Sequence, residues 1–358
     1  FKSLHKKLRT NLYLLLMTFK GVKGRAIALA WPDTTARGDE TWMLLLKKAG
    51  LVKNLNFKVG HAAIILVEDG SGDLFYFDFG RYVTARGMGR TRSALSDPKL
   101  VLHTKAKVNA NGSILNLQEI ATELDNLKHC THGKGRIFFS VSDTLDFRKA
   151  LAFANKMVIK GSMPYGALAY KNNSCSRFVA QVLVAGLQQQ HPAVRKIILP
   201  ESLMPSPISN VVNAQHHGEV YCYHQGTMEE VSMSRVQSLK FLISQLTDNL
   251  QHSTSRELPS DNIAGSINEP MRPSDLPHDA QWLGGIGEGA WFRLQLINHS
   301  LTATRYMENG IIDFCFQCQS NEELNSNLPY HFVYDSHHIF VTISQNGNKI
   351  KLLNSDLI

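Results

Sequence analysis

Asn172-Asn173-Ser174-Cys175-Ser176-Arg177-Phe178-Val179-Ala180-Gln181-Val182-Leu183 sets one cysteine where a polar turn becomes an apolar helix. Apolar residues at Phe178, Val179, Val182, Leu183 and Leu187 recur at helical spacing, Asn173 or Ser174 stands ready as N-cap, and Gly186 lies near the far end. This spacing places Cys175 in the first turn. Unpaired backbone N–H groups and the positive end of the helix dipole stabilise a thiolate there. With a base or cation close by, such a site lowers a cysteine pKa from about 8.5 into a range of roughly 3.5–7.5. A lone cysteine is more often a small buried hydrophobe, so the functional reading needs a base.

The base is found upstream, in Lys58-Val59-Gly60-His61-Ala62-Ala63-Ile64-Ile65-Leu66-Val67-Glu68. His61 opens an apolar strand. The turn Asp69-Gly70-Ser71-Gly72-Asp73 leads to a second strand, Leu74-Phe75-Tyr76-Phe77-Asp78-Phe79, and the pair reads as a β-hairpin. Asp78 or Tyr76 would then lie beside His61 and orient its ring, with Cys175 facing the histidine across the fold. Taken singly, His61 reads as a core histidine and Asp78 as a strand-end carboxylate paired with Arg81. The ordered combination of histidine strand and cysteine helix raises the functional case.

That order resembles the circularly permuted NlpC-type papain-like cysteine hydrolase superfamily, with its YiiX-like and lecithin:retinol acyltransferase-like groups. The resemblance rests on Gly60-His61, Phe77-Asp78, Pro164-Tyr165-Gly166 and Asn173-Ser174-Cys175-Ser176-Arg177-Phe178-Val179, and covers roughly residues 24–190. It implies Cys175 as nucleophile, His61 as general base and Asp78 as orienting group. Tyr76, Glu68 or Asp73 are alternatives for the third position if the hairpin register differs. Tyr165, Tyr76, Asn173 and Arg177 are the expected substrate-binding residues. No metal and no cofactor is expected: His129-Cys130-Thr131-His132 has ligand residue types without a second pair, and Cys315 and Cys318 point to opposite faces of a strand.

The 358 residues, 43% hydrophobic and 19% charged, suit a globular chain of two domains. The net charge of +8 conceals a division. Residues 1–200 hold 30 Lys/Arg against 13 Asp/Glu, and residues 201–358 hold 8 against 17, giving +17 and −9. The basic part suits an anionic partner such as a cell-wall polymer or lipid headgroup, or else attraction to the acidic part. Its arginines lack the interleaved aromatic platforms of single-strand binders, which argues against nucleic acid. Five cysteines argue against a disulfide framework and favour a reducing, cytoplasmic setting. A periplasmic or membrane-surface location stays open, because Lys2 to Phe19 is a basic and apolar segment suited to a packed or surface helix. No stretch is apolar for the ~18–20 residues that cross a bilayer.

The expected fold is α+β: a permuted papain-like domain with an N-terminal helix over residues 1–250, a linker or mobile loop over 251–281, and a small antiparallel β-domain over 282–358. Within the first, helices are expected at 40–50 (Trp42, Leu45 and Leu46 inward), 116–128, 143–159 and 229–250. Strands are expected at 25–31, 100–110, 135–141 and 218–224. Arg81 to Arg92 reads as a basic loop able to clamp an anion, 197–213 as a covering loop with prolines, and 284–289 as a flexible glycine-rich junction. Asn346-Gly347 marks a hairpin turn.

Two function classes follow. One is a cysteine-dependent hydrolase or acyltransferase acting on a peptide amide or an acyl ester, with a cell-wall peptide amide preferred. The other is a catalytically silent module that uses the basic domain for an anion and the β-domain for a protein partner.

Overall fold

The computed structural model describes residues 22–38, 40–166, 172–215, 218–247, 249, 252–258, 268–297, 300–320, 324–325 and 328–357. The expected N-terminal helix, His216, His217 and the middle of the expected linker lie outside them. Among the described residues no helix is long and apolar enough to cross a membrane. The fold is mixed α/β, with a second, nearly closed β unit built on its own sheet.

The first sheet is antiparallel throughout. It runs Thr227–Glu230, Tyr221–His224, Ile137–Val141, Lys23–Trp31, His61–Glu68, Leu74–Gly80, Met88–Ser93, Met163–Pro164, and Leu145–Asp146 also pairs with Lys23–Trp31. Its central strands are apolar on both faces, because both faces are covered. Ala26, Ala28, Ala30, Ala62, Ile64 and Leu66 pack beneath the helices Phe147–Lys160 and Cys175–Gly186. The alternate residues Ile27, Leu29, Trp31, Ala63, Ile65 and Val67 pack against the helix Leu117–Asn126.

The second sheet runs Gln281–Leu283, Ala290–Ile297, Ser300–Tyr306, Ile312–Gln319, Asn348–Asn354, Phe340–Gln345, His331–His337. Its ends approach each other: the Gln281 side chain accepts from the Phe332 N–H at 2.8 Å and donates to the Tyr330 carbonyl at 3.1 Å. Asn346 and Gly347 both take positive φ, 51° and 79°, as the expected two-residue turn requires. The sequence predicts strands here at 290–297, 301–307, 311–318, 338–343 and 349–353, and two strands of this sheet, Gln281–Leu283 and His331–His337, lie outside that set.

Several expectations are corrected. The helix Thr41–Lys48 buries none of its side chains, and Trp42 and Leu45 are 40% and 60% exposed. After a 3-10 turn at Pro98–Leu100, residues 101–107 form no strand, and the backbone N–H groups of His103 and Thr104 bond instead to the Glu123 carboxylate. The stretch expected as a covering loop holds the end of the helix Pro192–Ile198 and nearly all of the helix Pro207–Ala214, whose proline stands at its start, where the missing N–H costs nothing. Where it is described, the expected linker packs: Leu258, Leu276 and Ala280 are buried. The glycine-rich junction is docked as well, since the Gly287 N–H bonds to the Arg81 carbonyl and the Val83 N–H to the Glu288 carbonyl, both at 2.9 Å.

The β unit also shares the first unit's core, in which Ile339, Phe340 and Leu353 are buried. Phe340→Ala should therefore lower stability by about 3–5 kcal/mol, read from the urea unfolding midpoint, and should do so for probes in either unit. A loss confined to the β unit would contradict a shared core.

Candidate active site

His61 stands at the first position of its strand, behind Gly60. Gly60 adopts φ +78°, and a Cβ there would meet the Pro32 Cα and the Trp31 carbonyl oxygen at 3.0 Å. No other residue suits that corner. Trp31 is the cross-strand partner of His61, and their rings stack with centroids 5.7 Å apart. At a strand end the backbone no longer separates the two faces of the sheet. The imidazole can therefore meet a group from the helical layer.

That group is Cys175, first residue of the helix Cys175–Gly186. Ser174 caps the helix, accepting the Arg177 N–H at 3.3 Å, and the Ser174 N–H bonds to Asn173 Oδ1 at 3.0 Å. Cys175 and His61 are close enough for the thiol and the imidazole to act on each other's charge, and Cys175 Sγ lies 3.8 Å from Ser176 Oγ. Both side chains are buried.

Asp78 is the Cα partner of Ala63, so it shares a sheet face with His61, one diagonal step away. Its Oδ2 lies 3.4 Å from His61 Nε2. Four further contacts hold this fully buried carboxylate: Arg92 Nε to Oδ1 at 3.0 Å, Arg92 Nη2 to Oδ2 at 2.6 Å, Tyr76 Oη at 3.1 Å and Tyr82 Oη at 3.3 Å. Tyr82 Oη is also 3.3 Å from His61 Nε2, and the Arg92 guanidinium lies 3.4 Å from the centre of the Tyr82 ring.

The electrostatics follow from these contacts. Burial alone would push the His61 imidazolium down; hydrogen bonds to Asp78 and Cys175, with their negative charge, outweigh it and hold the group up at about 9. Burial would raise the Cys175 thiol, and the hydrogen bond and charge of His61 bring it below its ordinary value. Asp78 is desolvated yet held well below the usual carboxylate range by Arg92 first and His61 next. Burial and the Asp78 charge keep the Tyr76 and Tyr82 phenols protonated, as donors. The arrangement favours a thiolate–imidazolium pair backed by an ionised carboxylate.

The other expected site residues divide. Tyr165 lies near the thiol: it stacks on Phe79 at 5.9 Å, carries the Arg81 guanidinium 4.8 Å from its ring centre, and is pushed up to about 12 by burial and by the Cys175 charge. Asn173 shapes the turn into the helix, its N–H bonding to the Pro164 carbonyl at 2.9 Å. Tyr76 points at Asp78 from within the core. Arg177 is tied to the Asn172 carbonyl at 2.6 Å and to Met204 Sδ at 3.0 Å. Glu68 and Asp73, the alternatives to Asp78, sit at the opposite end of the hairpin, bonded to Ser71.

Tyr82, Arg92 and Trp31 went unforeseen in their roles. Arg92 had a signal: continuing the antiparallel pairing one strand further places it directly opposite Asp78. The basic loop clamps no external anion with Arg90 or Arg92, which are buried against Asp97 and Asp78. Among the described residues no three His, Cys, Asp or Glu side chains could hold a metal ion.

The sequence model of the type VI secretion system effector TseH-like family matches residues 26–192, a segment that contains His61, Asp78 and Cys175. The model of the DUF6695 C-terminal domain matches residues 280–355, the β unit. A crystal structure of the type VI secretion system effector TseH is similar at 17% identity, with a TM-score of 0.37, covering 59% of this chain and 98% of that one. No curated protein matches.

Arg92→Met would leave the Asp78 carboxylate buried without its cation and should cost about 3–5 kcal/mol of stability, measured by urea unfolding. A loss below about 1 kcal/mol would show that the pair is not what holds Asp78 in place.

Proposed function

We propose that this chain is a cysteine hydrolase of permuted papain-like type, acting as an effector on an amide bond, with a cell-wall peptide amide as the preferred substrate class. The observation that carries the reading is the Cys175 thiol at a helix start, electrostatically coupled to an imidazole that Asp78 backs at 3.4 Å. The match of residues 26–192 to the TseH-like effector family supports the effector setting.

The Cys175 thiolate attacks the carbonyl carbon and the C=O π pair moves onto oxygen. The Cys175 N–H, in the first turn of its helix, is an oxyanion donor. Asp78 engages His61 Nε2, which leaves Nδ1 to face the sulfur and to protonate the departing amine. Water, deprotonated by the neutral imidazole, then attacks the thioester and returns the thiolate and the imidazolium. Asp78 stays ionised throughout and fixes the ring. An ester would follow the same steps with an alcohol leaving.

The reacting pair needs a thiolate and an imidazolium together. Turnover should therefore rise with pH through the lowered Cys175 pKa and fall as the imidazolium deprotonates near 9. Cys175→Ala should abolish release of new amine termini from peptidoglycan fragments while leaving the circular dichroism spectrum intact. Retention of more than about a tenth of parent activity would exclude the nucleophile. Iodoacetamide at pH 7 should label Cys175 ahead of Cys130, Cys222 and Cys318, whose thiols burial pushes up, Cys318 to about 12. Equal labelling would favour a silent binding module.

A further inference from the structure

Two side chains that touch Asp78, Tyr82 and Arg92, are both held from the other side by one residue of the C-terminal β unit. The Glu288 backbone forms a parallel bridge with Tyr82, and the flanking hydrogen bonds, Gly287 N–H to the Arg81 carbonyl and Val83 N–H to the Glu288 carbonyl, clamp the segment that carries the Tyr82 ring. Its carboxylate faces Arg92: Glu288 Oε2 lies 3.7 Å from Arg92 Nη1, and neither atom has a hydrogen-bond partner. Arg92 thus stands between two buried carboxylates, one on each unit.

The surroundings make this a closed charge network. Glu288 Oε1 takes Lys99 Nζ at 2.6 Å and Arg305 Nη2 at 2.9 Å. Arg305 reaches Asp97 at 3.1 Å and Asp313 at 3.2 Å, and Asp97 takes Arg90 at 2.7 Å. Four cations (Arg90, Arg92, Lys99, Arg305) meet four carboxylates (Asp78, Asp97, Glu288, Asp313). The nearby histidines add no charge, because burial pushes His132 down to about 4 and His337 down to about 3. On the thiol side the facing groups are His61, Tyr82 and Tyr165.

We propose that Glu288 is a positioning residue for the Cys175–His61–Asp78 site, the β unit fixing Tyr82 through its backbone and balancing the charge of Arg92 through its carboxylate. This rests on the reading of Cys175 as nucleophile. The β unit is then part of the reaction centre's support as well as any surface for a partner. Removing the Glu288 charge leaves the Arg92 cation less neutralised, which favours the thiolate. Removing the Lys99 charge does the opposite. At an effective dielectric of about 20–40 and a separation on the order of 10 Å, each change moves a pKa by about 0.5–1 unit.

The test is the pH dependence of iodoacetamide alkylation of Cys175, followed by peptide mass spectrometry in the full chain. Glu288→Gln should move the midpoint down by about 0.5–1 pH unit and Lys99→Gln up by a similar amount, while Ile350→Ala, a buried β-unit residue outside the ion network, should destabilise the fold and leave the midpoint in place. Unmoved midpoints in both charge variants, or an equal shift in Ile350→Ala, would overturn the proposal. If Glu288→Gln does not fold, the sign of the Lys99→Gln shift decides alone, since that side chain reaches the surface. An ordinary thiol midpoint in the parent would instead overturn the nucleophile reading itself.

Discussion

The buried pair of Asp78 and Arg92 is the constraint on which the site depends. Both side chains are without solvent exposure, so neither can be ionised alone: an unpaired charge in that position would cost several kcal/mol. Pairing keeps Asp78 ionised, ionised Asp78 holds the proton on His61, and the imidazolium holds Cys175 as a thiolate. Each link reverses what burial alone would do to the next group. In the proposed mechanism the charge at the sulfur is thus set two residues away, at Arg92.

An arginine at full burial brings its own difficulty, because its five N–H donors must all be met. Asp78 takes two of them, the Tyr82 ring covers the guanidinium plane, and the Nη1 side faces Glu288. The opposite charge signs of the two parts of the chain acquire a physical meaning here. A portion of the basic excess of residues 1–200 is internal, matched by Glu288 and Asp313 beyond residue 200. Salt would screen such buried pairs far less than surface ones, so this part of the charge division concerns assembly of the fold rather than an outside polyanion.

Much of the site's local framework was legible. The cysteine helix showed because its apolar stripe, cap and terminal glycine lie within fifteen residues. The hairpin showed because its two strands flank one glycine-rich turn. Asp78 against His61 followed from register, a local property. Arg92 was within reach of the same argument carried one strand further, whereas Tyr82 was not, because its backbone is bridged to Glu288, some 200 residues away. The prolines misled for a different reason. Pro207 breaks what precedes it but begins a helix, and which reading applies depends on the cap supplied by Ser206. Trp42 and Leu45 misled because a helical stripe predicts a buried face only when a partner covers it.

The junction at 284–289 shows how the same composition supports opposite conclusions. Glycine clusters join mobile segments, but they also let two backbones approach where a Cβ would intervene. At Gly287 an added Cβ would stand 2.9 Å from the Arg81 carbonyl oxygen, the acceptor of this residue's own N–H. The junction is therefore a contact surface, and its close backbone packing places Glu288 beside Arg92. A β unit joined by a free tether could not hold a carboxylate at that position, since ordering the tether would cost more than one partly paired ion contact returns. The shared core at Ile339, Phe340 and Leu353 supplies the rigidity that the ion network needs, and the network in turn gives the β unit its orientation over the site.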